Sequence, residues 1–257
     1  GPALGGLLSG VGSGPLHQAP FLLAAGFSFL ALALSVRIDE SAAHRPITSS
    51  AKQALVTRLA TIMRSPLALY ALAFFCLNLS FAQVEASFVL LLRDYLDFDA
   101  RQTGWLFTYV GVCIILVQGG LINIAVRWFG EVGTVRFGAS LLVVGQILTV
   151  VMAVGLLIGN CYPLVQMLIV TTAVCFGFGF SNPALSAAAS NAAGKTTRGG
   201  ALGMVQGFGS LGQVGGLVLA GPLYHLGGAH YSFGFGAAIT LILLAIAFHL
   251  HQPPVSA

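Results

Sequence analysis

Residues 67–92 read LALYALAFFCLNLSFAQVEASFVLLL, and Glu85 is their one charged side chain. This stretch decides the fold, because about 20 consecutive apolar residues in a helix cross the hydrocarbon core of a bilayer. It lacks the alternation of polar and apolar residues that is typical of a membrane β-barrel strand. Since lipid offers no partner to free backbone groups, we expect the stretch to be a transmembrane α-helix.

Apolar stretches of this length recur along the chain. Only 7% of the 257 residues are charged, whereas a soluble domain has about 25%. The pattern predicts an all-α fold, that of a polytopic helical membrane protein. The seven predicted spans are residues 20–36, 67–92, 104–126, 133–158, 163–189, 201–223 and 231–250.

The positive charges predict which connections face the cytoplasm. Nine of the 11 Lys and Arg residues lie in or beside the first, third and fifth connections between predicted spans. Cytoplasmic loops carry such an excess, so we expect these connections and the C-terminus to be cytoplasmic. The net charge of +4 reflects this bias. It therefore indicates no nucleic-acid partner.

The chain divides into three predicted regions. Residues 1–36 are interpreted as the end of an N-terminal bundle, with a partial fifth helix and a complete sixth helix. Residues 37–66 are predicted to be a cytoplasmic linker that contains an amphipathic helix on the membrane surface. Residues 67–257 are predicted to form a C-terminal six-helix bundle. A weak internal echo between residues 1–21 and 221–233 supports two repeats of six helices, with the first helices absent from this chain.

Several motifs resemble the major facilitator superfamily, particularly its tetracycline-efflux-like and multidrug proton antiporters. GPALGG at residues 1–6 is similar to the latter part of the antiporter motif of the fifth helix, and FAQVEASF at 81–88 is similar to the seventh. NPAL at 182–185 and RGGALGMVQ at 198–206 resemble the tenth and eleventh. The antiporter-motif residues are Gly1, Pro2, Gly5 and Gly6.

A loop motif of the family follows its eighth helix. RWFGE at residues 127–131 resembles it and supplies the candidates Arg127, Gly130 and Glu131. The sequence departs from the family pattern here, because Asn123, Arg127 and Trp128 stand where the family has Gly, Asp and Arg.

The resemblance implies a secondary transporter in the bacterial inner membrane. Such a protein exports a small molecule in exchange for protons, by alternating access between two six-helix bundles. It needs no cofactor. Its partners would be the lipid bilayer, the substrate, protons and the missing N-terminal helices of the same protein.

Glu85 is the candidate for proton coupling or substrate binding. A carboxylate inside the membrane is costly, so it is usually retained for function and faces protein or water. It lies about 8 Å beyond the centre of its span toward the outside, at 1.5 Å per residue. Its own span contains no cation, so any partner comes from another helix. The alternative is a protonated Glu that is hydrogen-bonded between helices.

Uncharged intramembrane residues supply the other candidates. The amides near mid-depth, Asn78, Gln83, Asn182 and Gln206, either line a cavity or form interhelical hydrogen bonds. The stripe of Gly203, Gly207, Gly212 and Gly216 predicts a helix that packs closely against a neighbour.

Other classes of function are less favoured. GFGSLG at residues 207–212 fits a dinucleotide motif, but no strand precedes it and no acidic residue follows about 20 positions later. Asp94, Asp97 and Asp99 would suit Mg²⁺, but there is no second acidic cluster, so we predict a charged turn and no metal. A membrane-embedded enzyme or another seven-helix membrane protein stays as the alternative.

Overall fold

The computed structural model describes residues 19–36, 67–157, 163–193 and 198–250. These residues are helical almost throughout, which confirms the all-α fold. The antiporter-motif glycines and the predicted linker lie outside the described residues. The α-helices are α1 (Ala19–Ser35), α2 (Leu67–Leu96), α3 (Ala100–Leu116), α4 (Ile122–Leu157), α5 (Pro163–Ala192) and α6 (Arg198–His249), and a π-helical turn (Val117–Leu121) joins α3 to α4.

Single glycines break two of these helices. Gly130 in α4 has φ 71° and ψ 178°, and Gly228 in α6 has φ 71° and ψ −170°. Only glycine adopts this backbone conformation readily. A continuous helix of 52 residues such as α6 would be about 78 Å long, far beyond a hydrocarbon core of about 30 Å. Each break therefore separates two arms, residues 122–129 and 131–157 in α4, and residues 198–227 and 229–249 in α6.

The arms account for the predicted spans. Among the described residues, four helical stretches are apolar and long enough to cross a membrane, and Phe21–Ser35 is a shorter apolar helix. Two of the four stretches contain the breaks at Gly130 and Gly228 and so provide two spans each. The seven predicted spans therefore coincide with helices, and the differences are confined to their ends.

Backbone contacts divide the described residues into two units. One contains α1 and residues 98–111, and the other contains residues 67–97 and 112–250. In the second unit, Gly212 lies beside Phe75 and Gly216 lies beside Leu79, so α2 runs parallel to the first arm of α6. Ser80 bonds Thr240, while Ser87, further along α2, bonds Ser232, earlier in α6. The second arm of α6 is therefore antiparallel to α2.

The second arm of α4 and the helix α5 also run in opposite directions. A Cβ on Gly138 would meet Ser181, and one on Gly145 would meet Val174. The second arm of α4 is therefore antiparallel to α5. Neighbouring helices in sequence run in opposite directions here, as they must when the chain crosses a bilayer repeatedly.

Candidate functional site

Glu85 lies half-buried on the side of α2 that faces α5. One turn before Glu85, the ring of Phe81 stacks on Phe178 of α5, with centroids 3.8 Å apart and planes at 19°. An acid and a stacked aromatic pair therefore lie on the side of α2 that faces α5.

Among the described residues, no cationic side chain lies close to the Glu85 carboxyl. A carboxyl beside aromatic rings suits a proton or an organic cation, because the acid supplies charge and the rings attract cations through their faces.

A cluster of fully buried polar side chains occupies the opposite face of α2. We call it the glutamine ladder. It joins α2 to the second arms of α4 and α6, and its members are Ser80, Gln83, Ser87, Gln146, Ser232 and Thr240.

One half of the ladder centres on Gln83. Its Nε2 donates to the Ser232 carbonyl at 2.8 Å and to Ser87 Oγ at 3.1 Å. The hydroxyls of Ser87 and Ser232 share a hydrogen bond of 2.6 Å.

The other half of the ladder centres on Gln146. Its Nε2 donates to Thr240 Oγ1 at 2.9 Å and also to Ser80 Oγ. Ser80 and Thr240 share a hydrogen bond of 2.7 Å. Three helices are thus joined through side chains alone.

The ladder sets the rotation of α2 about its axis. Ser80, Gln83 and Ser87 follow the i, i+3, i+7 spacing and so lie on one face of the helix. Glu85 is two residues from Gln83 and therefore lies on roughly the opposite face. Because the ladder faces α4 and α6, Glu85 faces α5.

The structure places the four candidate amides in different surroundings. Gln83 is fully buried between helices, so the cavity interpretation does not hold for it. Asn78 is half-buried, donates to the Phe74 carbonyl of its own helix at 2.9 Å and lies beside Gly209. Asn182 is half-buried. Gln206 is exposed, and its Nε2 lies 3.4 Å from Ser186 Oγ.

The glycine stripe of α6 divides into two parts. A Cβ on Gly212 would collide with the backbone of Phe75, and one on Gly216 would collide with the backbone of Leu79. Beside Gly203 and Gly207, in contrast, no atom of the described residues lies within 4 Å of where a Cβ would be. Among the described residues, Gly212 and Gly216 therefore pack closely against a neighbouring helix, whereas Gly203 and Gly207 do not.

The loop-motif residues lie at the break in α4. Gly130 makes the sharp turn, and Arg127 is exposed. Glu131 accepts a hydrogen bond of 2.7 Å from Asn191 at the end of α5. Arg198 donates to the Ser190 carbonyl at 3.1 Å and to Asn191 Oδ1 at 3.4 Å. Asn191 thus connects the start of the second arm of α4 to the start of α6.

Arg136 makes a contact that the sequence analysis did not find. Its Nε donates to the Ala247 carbonyl at 2.9 Å, and its Nη2 donates to those of Leu250 at 3.0 Å and Phe248 at 3.2 Å. The last carbonyls of a helix lack intrahelical partners and carry partial negative charge. Arg136 therefore caps the C-terminal end of α6. The sequence feature that could have indicated this contact is a cation at the start of an apolar span.

The acidic segment between α2 and α3 forms a turn that ends in a helix cap. Asp99 Oδ1 accepts from the Gln102 amide at 2.7 Å, and Gln102 Oε1 accepts from the Asp99 amide at 2.9 Å. This reciprocal pair is a capping box at the start of α3. In the part of the chain that the structure describes, no group of His, Cys, Asp and Glu is arranged to hold a metal ion.

Among the described residues, the fold and site define a polytopic helical membrane protein with one acidic side chain between packed spans. Residues 136–257 match the family model of the Major Facilitator Superfamily. The chain is 29% identical over 256 residues to Multidrug resistance protein 1 of Bacillus subtilis (strain 168), covering 98% of this chain and 61% of that protein. It is 27% identical over 253 residues to Multidrug resistance protein 2 of the same organism, covering 96% of this chain and 59% of that protein.

These matches agree with the resemblance to the major facilitator superfamily and to multidrug transporters that the sequence motifs show. The chain spans about three fifths of the length of these two relatives, 61% and 59%.

Proposed function

We propose that the whole protein is a secondary transporter that exports a small molecule in exchange for protons. The family match and the multidrug resistance names of the two relatives support transport across the membrane. Alternating access by two helical bundles is the mechanism that the family resemblance implies. The bacterial inner membrane, with the C-terminus in the cytoplasm, is the location that agrees with the distribution of Lys and Arg.

The Glu85 site supports coupling within this proposal. A half-buried acid lies between α2 and α5, beside the Phe81–Phe178 stack. A half-buried acid that no described cation holds can bind a proton in one state and release it in another. The stacked rings give the same site an affinity for a flat or cationic substrate. Proton and substrate then compete for Glu85, which is the simplest way to couple their opposite movements.

The test is Glu85→Gln in the whole protein, reconstituted in liposomes with an imposed pH gradient. Gln keeps the shape of the side chain and removes its titration. We expect the variant to fold and bind substrate but to lose proton-driven transport. Asp97→Asn is the matched control, because it makes the same chemical change at an exposed turn. Transport by Glu85→Gln against a gradient, with native pH dependence, would exclude the coupling role.

A further inference from the structure

The helices α2 and α5, which carry the Glu85 site, run in opposite directions. Gln146 in the second arm of α4 bonds Thr240, while Arg136, earlier in that arm, bonds Ala247, later in α6. This arm of α4 is therefore antiparallel to the second arm of α6, as α2 is, and so it runs parallel to α2. Because α5 is antiparallel to this arm of α4, it is antiparallel to α2 as well.

Two of the predicted cavity residues therefore lie level with each other. Asn78 precedes Phe81 by three residues and Glu85 by seven, so these three side chains share one face of α2. Asn182 follows Phe178 by four residues and shares its face of α5. Since Phe81 stacks on Phe178 and the helices are antiparallel, Asn78 and Asn182 lie on the same side of the stack. Glu85 lies on the other side of it.

The first arm of α6 adds two more polar side chains to this place. A Cβ on Gly209 would lie 3.0 Å from Asn78 Nδ2. Gln206, three residues before Gly209, has its Nε2 3.4 Å from Ser186 Oγ, and Ser186 follows Asn182 by four residues. We call Asn78, Asn182, Ser186 and Gln206 the polar subsite. All four side chains are uncharged.

The polar subsite is open, whereas the glutamine ladder is closed. The ladder is fully buried, but Asn78, Asn182 and Ser186 are half-buried and Gln206 is exposed. The 3.4 Å between Gln206 and Ser186 exceeds the usual 2.7–3.2 Å of an N–H···O hydrogen bond. A carboxamide has two N–H donors and an acceptor oxygen, and Asn78 uses one donor on its own helix. The subsite can therefore form further hydrogen bonds with a molecule that reaches it.

We propose that the polar subsite binds a neutral hydrogen-bonding group of the exported molecule, such as an amide. The inference rests on the proposed export function, in which Glu85 and the aromatic stack hold the other end of the same molecule. Asn78 and Glu85 are seven residues apart, which is about 10 Å along the helix axis. The substrate class is therefore a flat cation that carries a neutral polar group about 10 Å from its charge. Because an amide both donates and accepts, the match does not depend on how the Asn and Gln carboxamides are turned.

The experiment measures the binding of three fluorescent 9-aminoacridine probes to the purified whole protein. One probe has no arm, and the other two carry an alkyl arm that ends about 10 Å from the ring, in a carboxamide or in an isopropyl group of the same shape. We expect the carboxamide probe to bind about tenfold more tightly than the isopropyl probe, as one or two neutral hydrogen bonds would give. In Asn182→Leu this preference should disappear, while the affinity for the probe without an arm stays native. Gln213→Leu, at an exposed position of α6, is the matched control and should keep the preference.

The binding preference distinguishes this inference from the coupling role of Glu85. Glu85→Gln changes only the cationic end of the site, so this variant should keep the native preference even if coupling is lost. Equal affinity of the native protein for the carboxamide and isopropyl probes would overturn the polar subsite and leave the coupling role standing. Asn78→Leu provides a second variant, and thermal melting shows which variants are folded. A native preference in a folded Asn182→Leu or Asn78→Leu protein would overturn the assignment of that residue to the subsite.

Discussion

Gly212 packs directly against the backbone carbonyl of Phe75, so α2 and the first arm of α6 touch with no side chain between them. Such contact is typical of membrane helices, where small residues let backbones approach and van der Waals packing drives association. The contact is repeated one turn later, where Gly216 meets the Leu79 carbonyl. This seam holds one side of α2, and the glutamine ladder holds another.

Gly212→Leu should force α6 away from α2. Overpacking costs about 1–3 kcal/mol, so the melting temperature of the whole protein should fall clearly. Gly207→Leu is the matched control, because it makes the same change where no described atom lies within 4 Å. Equal melting temperatures for Gly212→Leu and the native protein would contradict the seam.

Gln83→Leu should weaken the ladder. Interhelical hydrogen bonds in membranes contribute about 0.6 kcal/mol on average and up to about 1.7 kcal/mol, so we expect a modest loss of thermal stability. Transport should fall more than stability, because α2 then loses the contact that points Glu85 toward α5. Gln213→Leu, at an exposed position of α6, provides the comparison. A native transport rate in Gln83→Leu would show that the ladder does not position Glu85.

Arg136→Lys should loosen the end of α6. Lysine keeps the charge but cannot present the planar fork of donors that reaches several carbonyls at once. Proteolysis near residue 250 should therefore become faster in membranes opened to the cytoplasmic side. Arg127→Lys, a change at an exposed position, should leave the cleavage rate unchanged. Equal rates for the two variants would argue against the cap.

Single cysteines test the orientation in the membrane. The native residues Cys76, Cys113, Cys161 and Cys175 are first replaced. Asp97→Cys lies in the turn between α2 and α3 and should react with an impermeant thiol reagent in intact cells. Arg127→Cys lies at the Gly130 turn and should react only after permeabilisation. Labelling of both positions from the same side would refute the proposed topology.

Much of this fold follows directly from the sequence. Spans of about 20 apolar residues have only one way to satisfy their backbone in lipid, so helix positions can be read without tertiary information. The breaks at Gly130 and Gly228 fall in predicted connections for the same reason. Glu85 can be identified from the sequence as a candidate site residue, because a charged residue in such a span is rare.

The tertiary structure decided what each polar residue touches. Gln83 and Asn78 look alike in the sequence, yet Gln83 bonds α6 and Asn78 bonds its own helix. Gly207 and Gly212 belong to the same stripe, yet only Gly212 meets a neighbour among the described residues. Apolar composition fixes that a helix lies in the membrane, but its rotation depends on which neighbours it packs against, and those contacts join residues far apart in the chain.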